Sequence, residues 1–367
     1  MKIQMKIRFL GILAGMVALT GCDIVPAQTP ADSKILIAAG GNHSIVLLEN
    51  GGLIASGYND SGQLGKGDYD DTNNWIQTLS DVVQIAGGYN HSLALKNGGT
   101  LWAAGRNFQG QLGKSDNMDT NYWVQTLSGV SQIAGGYYHS LALKTDGSLW
   151  VSGYNFYGQL GKGDYIDTNN WISVLSGVGG IAAGYAHSLA LKTDSVLWAT
   201  GYNYYGQLGN SQKVNVSNWI AVLSNVGKAA AGYAHSLALK TDGTLWAAGN
   251  NIYGQLGTGD IADVSNWVFV LSDVKEIAAG RYHSLALKID GSLWATGENG
   301  YGQLGTGDTT DLSNWVNVLS GVVRIAGGEF HSLAVKSDGS VWAAGFNFYG
   351  QFGKGNNSDS SVWIRVW

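Results

Sequence analysis

Short apolar segments alternate with polar, glycine-rich segments along the chain, and this alternation recurs every 48 residues. In the unit around His187, the apolar segments run from Val178 to Gly184, His187 to Lys192 and Val196 to Gly201, and Trp171 to Leu175 precedes them. Their lengths, their β-branched and aromatic residues and their Gly, Asn and Ser boundaries are typical of strands. The second segment places large side chains on one face and small ones on the other, which suits a strand covered on both faces.

Single residues return at the same place in each unit. A glutamine of a Gly-Gln-Leu/Phe-Gly element and a tryptophan near the end of the unit share their spacing with the histidines, which are His43, His91, His139, His187, His235, His283 and His331. Seven units run from about residue 32 to residue 367. Units of this length bury their apolar faces by stacking on copies of themselves. We therefore predict an all-β fold, a seven-bladed β-propeller of four-stranded antiparallel blades.

The lengths of the connections suggest where one blade ends and the next begins. Only two residues, such as Ser176 and Gly177, separate the fourth strand of a unit from the first strand of the next. A two-residue connection is typical of a hairpin, so we expect these two strands to share a sheet. The long Gly-Gln-Leu/Phe-Gly loop then crosses between blades. In this phase Trp363 to Trp367 pair with the N-terminal strands, and pairing of the two chain ends closes the ring.

Composition and charge narrow the function. The chain of 367 residues contains 55 Gly, 14 Trp and 18 Tyr, which is consistent with tight turns and large packed rings. Its net charge is −5, and it has no cluster of Lys and Arg of the kind that binds phosphate backbones, so we expect no nucleic-acid partner. A single cysteine excludes an intramolecular disulfide framework.

The first residues are typical of an export signal. Lys2, Lys6 and Arg8 precede an apolar stretch from Phe9 to Leu19, which is too short to span a bilayer, and Thr20, Gly21 and Cys22 follow. This end resembles the bacterial lipobox, in which the cysteine is lipidated; the alternative is an ordinary secretory signal. We predict a lipoprotein signal peptide over residues 1–21, a lipidated tether over 22–31 and a propeller over 32–367. The propeller would be extracytoplasmic and held at a bacterial membrane by lipid on Cys22 alone.

Three elements recur in order: H-S-L-A-L/V-K, L/V-W-A/V-A/T/S-G and N-x-x-G-Q-L/F-G. With them, residues 32–367 resemble the regulator of chromosome condensation repeat family. The resemblance implies a seven-bladed propeller that binds proteins; the family's eukaryotic founder exchanges nucleotide on a small GTPase and binds chromatin, and secreted bacterial relatives include β-lactamase inhibitors that bind through one aromatic face. Ile54 departs from the pattern where the other units have Trp, and a Trp stands where the family usually has Pro before the fourth strand.

The repeated polar residues favour structural roles. Seven equivalent histidines on a ring lie far apart, whereas a catalytic site needs different residues converging on one atom. Pairs of Asp three residues apart, such as Asp164 and Asp167, recur in five long loops. Calcium binding is conceivable at these pairs. In the other two units Asn or Gln replaces an Asp of the pair, and loop capping by Asx-turns explains all seven loops equally well. We predict no catalytic residue, no metal site and no cofactor.

The loops before each histidine and the long loops should open on one end of the propeller, and both are rich in aromatic residues. Tyr, Asn and Gly together are typical of protein-binding patches. The candidate binding face comprises Tyr89, Tyr137, Tyr138, Tyr185, Tyr204, Tyr205, Tyr233, Tyr282, Arg281, Glu298, Glu329 and Phe330. The long loops also contribute Phe108, Phe156, Tyr157, Tyr253, Tyr301, Phe348 and Tyr349.

These features predict a non-catalytic, membrane-anchored scaffold for recognition of a protein partner. A module that binds cell-wall glycan is a first alternative. A glycan hydrolase or lyase is a second; it would need Glu298 and Glu329, acids that depart from the repeat, in one central pocket. Guanine-nucleotide exchange by family analogy is a third, and it would need a protruding wedge, for which no repeat has an insertion.

Overall fold

The computed structural model describes residues 34–367, which form seven four-stranded antiparallel sheets arranged as the blades of a propeller. The predicted all-β, seven-bladed architecture is confirmed. The predictions for the signal peptide, Cys22 and the tether lie outside the described residues. Within residues 34–367, no helix is long and apolar enough to cross a membrane.

Each blade takes its four strands from one continuous stretch of chain. Blades 1 and 2 contain β1 Leu36–Ala39, β2 His43–Leu47, β3 Leu53–Gly57, β4 Thr72–Leu79, β5 Val82–Gly87, β6 His91–Lys96, β7 Thr100–Gly105 and β8 Thr120–Ser128. Blades 3 and 4 contain β9 Val130–Gly135, β10 His139–Lys144, β11 Leu149–Gly153, β12 Thr168–Leu175, β13 Val178–Ala183, β14 His187–Lys192, β15 Leu197–Gly201 and β16 Val216–Leu223. Blades 5 to 7 contain β17 Val226–Ala231, β18 His235–Lys240, β19 Leu245–Gly249, β20 Val264–Leu271, β21 Val274–Ala279, β22 His283–Lys288, β23 Leu293–Gly297, β24 Leu312–Leu319, β25 Val322–Gly327, β26 His331–Lys336, β27 Val341–Gly345 and β28 Ser360–Arg365.

The hydrophobic core lies between blades, where the large face of one sheet meets the small face of the next. Leu141 and Leu143 of blade 3 pack with Ala190 of blade 4 and with Trp219 of its outer strand. Trp219 also covers Gly161 in the long loop of blade 3; this glycine has a φ of 65°, and a Cβ there would collide with the indole. The repeated glycine is therefore needed both for the backbone conformation and for the close approach of the next blade.

The predicted position of the boundary between blades is wrong: the fourth strand of a unit does not share a sheet with the first strand of the next. The third and fourth strands pair within one sheet, as Leu149 pairs with Leu175, so the long loop joins two strands of the same blade. The two-residue link crosses between blades instead. Its second residue has positive φ, 68° at Gly177, and the strand beyond it is tied back by a hydrogen bond of 3.0 Å from the Val178 N–H to the Gly147 carbonyl. This backbone turn directs the chain into the next sheet.

The predicted closure of the ring by pairing of N- and C-terminal strands is also wrong. β28 pairs with β27 in blade 7, and β1 pairs with β2 in blade 1, so neither end completes the other's sheet. Closure uses the same contacts as the other blade boundaries, because each blade is already complete. An isolated bridge joins Asn74 to Lys354, and Ile37 and Val46 share a core with Val335.

Candidate functional site

Two sets of loops leave the same end of the propeller, as predicted from the antiparallel order. We call this end the loop face; in blade 1 it comprises the β1–β2 loop, residues 40–42, and the β3–β4 loop, residues 58–71, with their equivalents in other blades. The two loops are joined by a hydrogen bond of 2.9 Å from the Tyr58 N–H to the Asn42 carbonyl. The opposite end, the turn face, carries the β2–β3 turns and the links between blades.

A buried asparagine holds each long loop. In blade 3 the Asn155 side chain donates to the Asp164 carbonyl at 2.9 Å and accepts from the Leu160 N–H at 2.9 Å. The Asp167 carboxylate in turn accepts from the Asn155 N–H at 2.7 Å. Since one side chain bonds to both halves of the loop, contacts within the loop itself hold its conformation.

The Asp pairs belong to this clamp. Asp164 accepts from the Ile166 N–H at 2.9 Å and from Lys162, and the hydrogen bond from Lys162 lowers the pKa of its carboxyl. The carboxylates are thus engaged by the groups of their own loop, which favours loop capping over the calcium alternative. No group of three or more His, Cys, Asp or Glu suited to a metal ion occurs among residues 34–367.

The histidines join neighbouring blades. His187 Nε2 lies 2.9 Å from the Ser236 hydroxyl, and this hydroxyl donates to the Gln207 carbonyl at 2.8 Å. The serine proton is therefore used, so His187 must donate from Nε2. Burial lowers the pKa of His187 to about 3. The contact between His331 and Ser44, at 2.9 Å, repeats this arrangement where the ring closes.

Around the axis, one position from each blade forms what we call the axial ring: Gly41, Tyr89, Tyr137, Tyr185, Tyr233, Arg281 and Glu329. Hydrogen bonds of 3.1–3.3 Å from the N–H of each of these residues to the next blade run round the whole circle. The ring centroids of Tyr89 and Tyr137 are 3.8 Å apart, and those of Tyr185 and Tyr233 are 4.1 Å apart. The tyrosines therefore cover one another, and their exposure is intermediate.

A chain of polar contacts crosses the axial ring. Arg281 donates to the Glu329 carboxylate, and the neighbouring Tyr89 hydroxyl also favours the ionised form of this carboxyl. Burial raises the pKa of Glu329, and the positive charge of Arg281 and the Tyr89 hydroxyl oppose this shift. The cavity that these residues line with the axial glycines has a volume of about 90 Å³, which is small for a sugar or a cofactor.

Glu298 lies at the start of the long loop of blade 6. Burial, followed by the negative charge of Asp311, raises the pKa of Glu298 to about 7. Glu329 lines the axial cavity and Glu298 does not, although the charge of Glu329 contributes to the raised pKa of Glu298. The hydrolase alternative therefore gains no support from this geometry.

Many of the most exposed apolar side chains lie farther out, at the tips of the long loops of blades 2 to 5. We call them the apolar crescent: Phe108, Met118, Phe156, Ile166, Tyr204, Val214, Ile252 and Ile261, with 59–72% of their surface exposed. The two residues of a tip lie close together, since the Asn117 side chain beside Met118 donates to the Phe108 carbonyl at 2.9 Å. Each of these blades presents two apolar side chains.

The sequence-predicted face residues divide between these two layers. Tyr204 belongs to the crescent and Glu329 is buried. The others are partly exposed. Arg281 lies over the rings of Tyr282 and Phe330. Tyr205 contacts Tyr204, Tyr138 contacts Tyr137, and Glu298 begins the loop of blade 6. The sequence pattern did not single out the other members of the crescent, Met118, Ile166, Val214, Ile252 and Ile261. Aligning the units on their histidines reveals them, because they are apolar where a loop tip should be polar.

Comparison with family models gives matches to the regulator of chromosome condensation (RCC1) repeat over residues 35–63, 82–111, 130–159, 180–207, 228–255, 274–303 and 322–351. A second model of this repeat matches residues 50–95, 242–287 and 290–335. Comparison with curated proteins gives no match.

Among solved structures, human WBSCR16 is similar with a TM-score of 0.75 and 24% identity, over 85% of this chain and 89% of that one. Prp20p from Saccharomyces cerevisiae, described with its binding to Gsp1p and histones, has a TM-score of 0.78 and 23% identity, over 86% and 85%. The complex of Kap60 with yeast RCC1 (Prp20) gives 0.79 and 21%, over 94% and 89%. These identities show a shared fold. Because the repeat model matches more than half of the residues, the chain belongs to the regulator of chromosome condensation repeat family.

Proposed function

We propose that this protein is a non-catalytic scaffold that recognises a protein partner through its loop face. The observation that carries the proposal is the set of exposed apolar side chains held at that face by loops with their own buried clamps. Preformed loops lose little conformational entropy on binding, so apolar burial contributes more fully to affinity. Large apolar side chains exposed side by side mark interaction surfaces in soluble proteins.

The structural relatives are consistent with this role. Prp20p is described as binding Gsp1p and histones, and yeast RCC1 as bound to Kap60, so propellers of this fold do bind proteins. A reader of glycan would be expected to offer equivalent pockets in most repeats. The loop tips differ instead, with Phe156 in blade 3, Gly300 in blade 6 and Asp60 in blade 1 at one repeat position.

Crosslinking in intact cells, followed by affinity capture, tests the proposal. The variant Phe108→Ser/Phe156→Ser/Tyr204→Ser should lose the captured protein and keep the melting temperature of the wild type, because these side chains are exposed. The matched control is Ile289→Ser, which removes an exposed apolar side chain from the turn face. Loss of capture with the control and retention with the triple variant would place binding at the wrong end.

We also propose that the propeller is anchored outside the cytoplasm by lipid on Cys22. The supporting pattern is the charged start, the apolar stretch and the single cysteine directly after Thr20 and Gly21. The substitution Cys22→Ser should release the protein from membranes or leave an unprocessed precursor. Fractionation and gel migration check this outcome, and a variant that behaves as wild type in both would exclude the lipid anchor.

A further inference from the structure

The loop face is not uniform around the ring, although the repeats are. At the two tip positions where blade 3 carries Phe156 and Ile166, blade 1 carries Asp60 and Asp70. Blade 6 has Gly300 and Thr310 there. The apolar crescent therefore covers four neighbouring blades; the flanking loops of blades 1 and 6 add only the less exposed Tyr69 and Tyr301, at 49% and 40%. Blade 7 has Phe348, isolated from the crescent by blades 6 and 1.

The most acidic long loops lie on either side of the crescent. The loop of blade 1, residues 58–71, contains four Asp and one Lys, and that of blade 6, residues 298–311, contains one Glu and two Asp without Lys or Arg, so each has a net charge of −3. In blades 2, 3, 4 and 5 the equivalent loops have formal net charges of 0, −1, +1 and −2. Acidic loops thus flank the crescent. The loop of blade 1 lies beside blade 2, and the loop of blade 6 lies beside blade 5.

The acidic end on blade 6 has an unused acceptor and free space. The Glu298 Oε2 atom is buried and accepts no hydrogen bond. Gly300 follows two residues later, and a Cβ built on it would meet no atom within 4 Å. The absence of a side chain at Gly300 leaves the surface of this acidic loop open to a cationic side chain.

We propose that the apolar crescent binds an apolar segment of a protein partner with basic residues on both sides, which meet the acidic loops of blades 1 and 6. This inference rests on the proposed function and names the chemistry of the partner. A second copy of the chain fits poorly because its acidic loops would face like charges. An anionic membrane surface is disfavoured for the same reason.

Selection of random peptides displayed on phage against the purified full-length protein tests the proposal. We expect the enriched peptides to have aromatic or aliphatic centres flanked by Lys or Arg. A synthetic peptide of that consensus should bind at least tenfold more weakly to Phe156→Ser/Tyr204→Ser than to the wild type. Phe348→Ser is the matched control, since it removes an equally exposed ring at the same repeat position, and it should leave the affinity unchanged.

A second variant tests whether the acidic loop of blade 1 contributes to the affinity for the peptide. Asp60→Asn/Asp70→Asn should weaken the peptide severalfold at low salt and reduce the salt dependence of its affinity. The inference would be overturned by peptides with acidic flanks, by no enrichment, or by equal loss of affinity with Phe348→Ser. It would also be overturned if the protein floated with phosphatidylglycerol vesicles and Phe156→Ser/Tyr204→Ser abolished this flotation. Binding elsewhere on the loop face would overturn only the inference, whereas binding lost with Ile289→Ser would overturn the proposed function as well.

Discussion

At the scale of the residue, the histidines make stability depend on pH. Burial lowers the pKa of His187 from 6.5 to about 3, so the folded protein keeps this ring neutral while the unfolded chain protonates it below pH 6.5. The contribution of His187 to stability is therefore complete above pH 6.5 and is lost as the pH falls toward 3, by about 1.4 kcal/mol per pH unit. Glu298 acts in the opposite sense, because its raised pKa lets the folded state bind a proton between 4.5 and about 7.

The substitution His187→Gln isolates the effect of one histidine. It removes one titrating group and keeps a side chain that can donate a hydrogen bond toward Ser236. Denaturant unfolding at several pH values between 6 and 4.5 should show that the wild type takes up one more proton on unfolding than the variant does. Parallel stability curves would show that His187 is not held neutral in the folded protein.

The sequence predicted the structural role of the histidines better than it predicted their partners. The exact spacing from His187 to its equivalents indicated a structural residue, but a single unit does not contain the Ser236 hydroxyl that the ring meets across the blade boundary. Tip residues such as Met118 were missed for another reason. An apolar residue in a polar loop carries no periodicity of its own within one unit; only alignment of the units brings it out, and its exposure shows that it lies on the surface.

At the scale of the element, the long loop depends on its asparagine clamp. Removing the Asn155 side chain leaves the Leu160 N–H buried without a partner, which costs about 2–3 kcal/mol. We expect Asn155→Ala to raise hydrogen exchange in residues 156–167 while the strands of blade 3 stay protected. Asn170→Ala is the control, since this exposed asparagine lies on the outer strand of the same blade. Unchanged exchange in the loop would mean that its strand contacts hold it without the clamp.

The limits of sequence reasoning are also clearest for this element. Strand existence followed from the pattern of apolar residues, and the opening of both loop sets at one end followed from antiparallel order. Connection length gave the wrong blade phase, because a two-residue link containing Gly177 fits a hairpin and a blade crossing equally well. What decides between them is the clamp of Asn155, which folds the long loop back beside its own third strand.

At the scale of the whole molecule, each blade is contiguous in sequence and the ring closes through ordinary blade contacts. His331 meets Ser44 as His187 meets Ser236, and the Glu329 N–H donates to the Gly41 carbonyl at 3.3 Å. The first and last strands are therefore neighbours without sharing a sheet. It follows that the boundary between blades 7 and 1 contributes to stability as the other boundaries do, apart from the missing covalent link.

That equivalence predicts that the ring can be opened elsewhere. Trp367 is equivalent to Leu319, and Lys34 to Val322, so the two residues Ser-Gly would join the present ends with the natural spacing. A circular permutant that begins at Val178, passes through this link and ends at Gly177 should unfold cooperatively within about 5 °C of residues 34–367. A chain lacking residues 178–225 is the control; six blades with contacts shaped for seven should leave one boundary open, and the protein should aggregate. Circular dichroism melts and size-exclusion chromatography measure both outcomes. A permutant that melts far below the wild type would show that the boundary between blades 7 and 1 stabilises the ring in a way that the other boundaries do not.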